Sequence, residues 1–455
     1  MKNLLRGALY IGCIFFTTEN YLMASQAYCP MPTKATQTSS APIDVKDFTL
    51  KNGQPVWFTT DPELDVITVG LCFQYAGNQA DPKDKPGLSN FLVAMLDEGA
   101  GPYDSQSFKK KLIEKNIQLS ISSNQDSITV VFKTTSANMI EAFQLIKLAL
   151  TSPNFPNDAH VRTQQQMAAV LIQSLHKPEA IAKEKIMGTV LGEDHVYAKN
   201  TEKKLASLPS YTKKDLENHL ERHITQANLT IAAAGNISEA TLRNCLEDLI
   251  SAFPPGKKIT QTTNGKLLSP GKVIHHEMNV PQATIMFAHP GIARNDPDFY
   301  AAYLLIQALG GSAFESRLWK EIREKRGLAY YISLGLFSQK LQHGIIGATG
   351  TKTTSVQEVI RLIREQWKNV AKNGLTQEEL TLQKQFLNES YPLSFTKTAD
   401  IVNVLLSYQS EELPKSYIQE REALFNHLTV DDIKRVAKRL LKDDELTFLI
   451  VGKKE

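Results

Sequence analysis

The sequence predicts an α+β protein made of two homologous domains, each a largely antiparallel sheet with helices packed on one face. Three observations carry that prediction. The chain has 455 residues, 42% of them hydrophobic, too many for one compact domain and suited to two of ordinary size, each with its own core. Its two long halves repeat one another at an offset of roughly 215 residues, far beyond the period of a solenoid. Within each half, strands rich in Val, Ile, Thr and Phe alternate with long amphipathic helices.

In chain order, the first residues stand apart. Lys2 and Arg6 precede an apolar run at 7–16, and Ser25-Gln26-Ala27 follows as a small-residue cleavage site. Residues 1–27 are therefore expected to be a signal peptide, with a mature chain that begins near Tyr28 and is periplasmic or secreted from a bacterium. After cleavage, no stable membrane anchor is expected. Cys29, Cys72 and Cys245 remain, an odd number without metal-ligand spacing. Cys72 and Cys245 have apolar neighbours and read as core residues, and Tyr28 before Cys29 disfavours lipid attachment.

The N-terminal domain is expected over 28–258. Its strand ITVGLCFQY at 67–75 leads through Asp81-Pro82 to an amphipathic helix, a strand at 127–134 and a helix at 136–150 follow, and LTIAAAG at 229–235 closes it. A linker rich in proline, glycine and polar residues occupies 259–273. The C-terminal domain, 274–455, repeats the plan: ATIMFAHPG at 283–291, Asp296-Pro297, a strand at 343–349, a helix at 355–372 and LTFLIVG at 446–452. Thr212 and Leu216 before the first closing strand answer Thr429 and Ile433 before the second. Both acid-proline pairs are expected to start helices, the acid as cap and the proline in the first turn.

With 51 basic and 48 acidic side chains scattered along the chain, net +3, nothing points to nucleic acid or an anionic surface. In GLSNFLVAMLDEG, residues 87–99, Leu88, Phe91, Leu92, Met95 and Leu96 recur at helical spacing, leaving Asn90, Val93 and Ala94 beside them. By itself this is a plain amphipathic helix. His219 and His223 are four apart and so at chelating distance, but Glu221 stands about 200° round the helix from His219, and a packing or solvated role is expected for the pair.

The segment GGSAFESRLWKEIREKRGLAYYISLG, residues 310–335, sets Arg323 and Tyr330 seven apart. A guanidinium can fork onto a peptide carbonyl or carboxylate, and a phenol can donate to an oxygen that becomes negative in hydrolysis. The plainer alternative is a charged helix end and a sheet aromatic. Gly310 and Gly311 fit either a flexible loop or a helix terminus. No nucleophile elbow, paired-carboxylate signature or other convincing metal motif is present.

From FTLKNGQPVWF at 48–58 to the final LTFLIVG, the chain resembles the pitrilysin and insulinase type of zinc peptidase. Active members carry H-x-x-E-H in a helix that reads much like GLAHFLEHM, two histidines facing one zinc and the glutamate activating its water. Laid on GLSNFLVAM, the motif puts Asn90 at the first histidine, Val93 at the glutamate and Ala94 at the second histidine. The third ligand, a glutamate roughly 75 residues downstream, falls in RTQQQMAAVLIQS, 162–174, which has no carboxylate.

The resemblance thus implies half of a clamshell with no zinc and no catalysis of its own. It places Arg323 and Tyr330 at the family's substrate-holding pair and Gly310 and Gly311 at its glycine-rich segment. It further implies a noncatalytic subunit of the bacterial two-chain type, paired with a separately encoded H-x-x-E-H chain that holds the zinc and acting on a peptide or unfolded polypeptide. The alternative is a non-proteolytic structural or peptide-binding protein on the same fold.

Overall fold

A computed structural model describes residues 43–454 except 199, 258, 260–266, 269 and 312–314. The expected signal peptide, Cys29 and much of the expected linker lie outside the described residues. In the first half a six-stranded sheet has the order β1-β2-β6-β3-β5-β4, with β1 Lys46–Thr49, β2 Pro55–Thr60, β3 Val66–Gln74, β4 Gln118–Ser123, β5 Ser127–Thr135 and β6 Leu229–Gly235. In the second, five strands run β7-β11-β8-β10-β9, with β7 Val273–Glu277, β8 Gln282–Pro290, β9 Ala329–Ser338, β10 His343–Lys352 and β11 Thr447–Gly452. Each sheet is antiparallel except for one pair, β2 with β6 and β7 with β11.

The first half has helices α1 Leu88–Met95, α2 Ser105–Glu114, α3 Met139–Thr151, α4 Asn157–Ser174, α5 Pro178–Leu191, α6 Thr201–Ser207, α7 Lys213–His223 and α8 Glu239–Ser251. The second has α9 Phe299–Gly310, α10 Val356–Asn373, α11 Gln377–Ser390, α12 Thr398–Ser410, α13 Tyr417–Asn426 and α14 Val430–Leu440. The repeat extends to single hydrogen bonds. Thr212 and Asp215 form a capping box at the start of α7, and Thr429 and Asp432 form the same box, with matching 3.2 and 2.9 Å bonds, at the start of α14. The acid-proline pairs act differently from the expectation. α1 begins at Leu88 and α9 at Phe299, because a turn separates each Asp-Pro from its helix.

Seven consecutive residues of β3 and eight of β8 are buried, so both faces of these strands are covered. Each half supplies helices to one face of its own sheet, as expected. The other face is covered by a helix from the opposite half. Val402, Leu405 and Leu406 of α12 pack on Cys72, Ala232 and Ala234 of the first sheet, while Ala182, Ile186 and Val190 of α5 pack on Met286, Ala288 and Leu449 of the second.

The first docking is close because the sheet is smooth there. Gly70 lies beside Ala232 in the ladder, and a Cβ on Gly70 would come within 2.5 Å of Val402 and 2.7 Å of Leu406. Burying each large α12 side chain contributes about 1.5–3 kcal/mol. A buried Thr68–Thr398 hydroxyl bond of 2.7 Å and a 2.9 Å bond from Gln409 to the Ile231 carbonyl fix the helix along the strands.

Candidate functional site

The first candidate region is α1. Gly87 precedes it at φ +98°, a conformation that favours glycine, and the Asp81 carboxylate accepts the N–H groups of Gly87 and Ser89, both at 2.7 Å. Burial pushes the Asp81 carboxyl up to about 6 despite those bonds. Leu88, Phe91, Leu92 and Met95 are buried in the core, and the helix packs against α4, α7 and β4. Asn90, Val93 and Ala94 are half-buried.

These three residues do not fit a zinc ion. An amide, an isopropyl group and a methyl group provide neither an imidazole nor a carboxylate. Nor does α4 supply one over 162–174. His160 of α4 is a lone imidazole that packs edge-on against Phe91 with centroids 4.8 Å apart. Arg162 instead binds Glu98, just beyond α1, at 2.5 Å, and Glu98 also binds Lys109 at 2.5 Å and Ser105. Burial works to raise the Glu98 carboxyl, but Lys109, Ser105 and Arg162 outweigh it and hold it below the usual range. A structural ion cluster thus ties α1, α2 and α4 together.

The His219 and His223 rings lie 4.5 Å apart at the end of α7, where Glu221 is exposed. Burial pushes His219 down to about 3 and lowers His223, so both are neutral packing groups near pH 7. Among the described residues, no group of three or more His, Cys, Asp or Glu side chains is placed to hold a metal ion.

The second region lies between α9 and β9. Gly310 ends α9 and Gly311 follows it; both are buried. A Cβ on Gly310 would meet Leu334 at 2.7 Å, and one on Gly311 would meet the Gln307 backbone at 2.8 Å. The next helical segment, Trp319–Glu324, is a π turn, with the Lys325 N–H donating to the Lys320 carbonyl at 3.0 Å. Such i→i+5 turns are uncommon and concentrate at functional sites. Gly327, at φ +61°, then turns the chain into edge strand β9.

The structure brings Arg323 and Tyr330 together. The Arg323 guanidinium carbon lies 5.0 Å from the Tyr330 ring centroid and 3.9 Å from that of Trp319. Tyr330 is 82% exposed. Arg317 pairs with Glu379 through two bonds of 2.6 and 2.7 Å, Lys320 with Glu315 at 2.5 Å, and Lys325 and Arg326 both with Glu321. The guanidinium of Arg323 alone among these cationic groups makes neither a hydrogen bond nor an ion pair with a described residue. Sequence reasoning missed Trp319; its signal was the four-residue spacing to Arg323, which puts an aromatic ring and a cation on one side of a helical turn.

A duplicated sheet-and-helix unit, with no metal-holding cluster among the described residues of its first copy and an arginine beside a tyrosine in its second, defines a peptidase-like scaffold. Residues 56–202 match the insulinase family, peptidase family M16, and residues 210–387 match the peptidase M16 inactive domain. The chain belongs to this family as an inactive homologue. It is similar to a "Non-peptidase homolog YmxG" of Helicobacter pylori, 25% identical over 411 residues, covering 88% of this chain and 92% of that one. It is also 20% identical to the mitochondrial-processing peptidase subunit beta of Blastocladiella emersonii, covering 89% and 87%. A crystal structure of a peptidase M16 inactive domain from Pseudomonas fluorescens superposes with a TM-score of 0.85 at 26% identity, covering 91% of this chain and 98% of the other.

Proposed function

We propose that this chain is the noncatalytic subunit of an exported two-chain zinc peptidase, lending Arg323 and Tyr330 to a partner that carries H-x-x-E-H and the zinc. The observation behind this reading is the Arg323 guanidinium, without an ion pair to any described residue, beside the exposed Tyr330 ring, within a segment whose other cations all have carboxylate partners. Gly310 and Gly311 serve the pair by ending α9 tightly, which sets where the chain leaves for the π turn. A relative named as a subunit of a processing peptidase supports an assembly of unlike chains. The basic start, apolar run and Ser-x-Ala sequence at 1–27 support export to the periplasm.

In this division of labour the partner's zinc would supply the activated water. This chain would hold a peptide or unfolded polypeptide, Arg323 through its N–H groups and Tyr330 by donating its hydroxyl proton to the substrate oxygen. The test is reconstitution with an H-x-x-E-H chain encoded beside it. Arg323→Ala or Tyr330→Phe should lower turnover about a hundredfold, with the assembled pair still eluting as one species on size exclusion. Unchanged kinetics in both variants would move the non-proteolytic peptide-binding reading ahead.

A further inference from the structure

The surroundings of Arg323 also indicate which chemical group the pair would grip, an inference that rests on the binding role just proposed. The Arg323 guanidinium carbon lies 3.9 Å from the Trp319 ring centroid, a distance at which a guanidinium stacks on an aromatic face. Stacking of this kind uses the cation's face and leaves its N–H donors pointing outward in their own plane. Tyr330 bounds the same cation at 5.0 Å and is largely open to solvent. Glu315 and Glu321 of this segment and Glu379 of α11 are already bound to other cations, and Glu324 is exposed, with no ion pair to a described residue.

An in-plane fork of donors matches two coplanar oxygens better than the single oxygen of a peptide carbonyl. We infer that Trp319, Arg323 and Tyr330 form a carboxylate clamp, with Arg323 binding a peptide carboxylate through paired hydrogen bonds and Trp319 acting as the positioning residue that fixes the guanidinium plane. A chain terminus and an Asp or Glu side chain present the same chemistry to it.

Calorimetric titration of the purified chain without a partner separates these possibilities. The probes are one peptide lacking Asp and Glu, prepared as the free acid and as the C-terminal amide, and the same amide with one internal Glu. At least one carboxylate-bearing form should bind tenfold or more tighter than the plain amide; which one does so identifies the source. Trp319→Phe should keep the preference, and Arg323→Lys should lose most of it with an unchanged thermal midpoint; Trp319→Ala should lose it as well, with a lowered midpoint because the indole also packs against the second core. Equal affinity for all three peptides, or no measurable binding of any, would overturn the clamp. Equal affinities that all weaken in Arg323→Ala would overturn the carboxylate preference alone, leaving the substrate-holding role intact. Equal affinities untouched by Arg323→Ala would count against both.

Discussion

Replacing Gly70 by alanine tests how α12 sits on the first sheet. The new methyl would lie 2.5 Å from the Val402 Cγ1 and 2.7 Å from the Leu406 Cδ1, where no real Cβ fits without movement, and such overpacking costs about 1–3 kcal/mol. Val402→Ala removes the nearer obstacle. Alone it should cost roughly 2 kcal/mol, from lost burial of a fully buried side chain plus the cavity left behind. In the double variant the methyl introduced by Gly70→Ala occupies part of that cavity, so the combined loss should fall below the sum of the single losses by about 1–2 kcal/mol. Urea denaturation of the four proteins, read by far-UV circular dichroism, gives the coupling. Strict additivity, or a neutral Gly70→Ala, would refute the close docking of α12 on β3.

Three further results are expected. Asp81 titrates near 6 in the fold against 3.8 unfolded, so its stabilising contribution is fully present below pH 3.8 and lost as pH rises through 6; relative to Asp81→Asn, the wild type should lose about 2 kcal/mol of stability between pH 4.5 and 7 in denaturant titrations. Glu98 has the opposite sign, its lowered pKa giving stability that is present above the unfolded value and lost as pH falls through the folded one. Glu98→Gln should cost about 1–2 kcal/mol at pH 7, because it leaves Lys109 and Arg162 without their carboxylate, with the difference shrinking in high salt. Gly311→Ala should lower stability by roughly 1–3 kcal/mol, measured by thermal unfolding, because its methyl would meet both the Gln307 side-chain oxygen and the Gln307 backbone, and only the side chain can swing aside.

Much of the fold was legible because it depends on local rules. The capping threonines at 212 and 429, the apolar spacing of α1 and the β-rich runs at β3, β5, β8 and β10 each announce an element within a few residues. The helix expected at 136–150 begins instead with a 3-10 turn, Ser136–Asn138, before α3. What stayed hidden depends on distant partners. Periodicity says that α12 has an apolar face, but not that this face belongs to the other half's sheet, nor that the alanines of β6 provide the smooth surface on which it rests. At the candidate site, Arg323 and Tyr330 were readable by their positions relative to a family pattern. The π turn and the stacking of Trp319 were not, since both arise from how the segment leaves α9 and enters β9.

The exchange of α5 and α12 also has a consequence during synthesis. When β6 is complete, the first sheet's outer face, with Trp57, Cys72, Ala232 and Ala234, still lacks α12, which begins about 160 residues later. At ~5–20 residues per second on the ribosome, that apolar face waits roughly 10–30 s for its cover. A half-length product would never receive it. Nascent chains stalled before residue 398 should therefore be held by chaperones or aggregate, and separately expressed halves should become soluble only when made together, each serving as the other's missing layer.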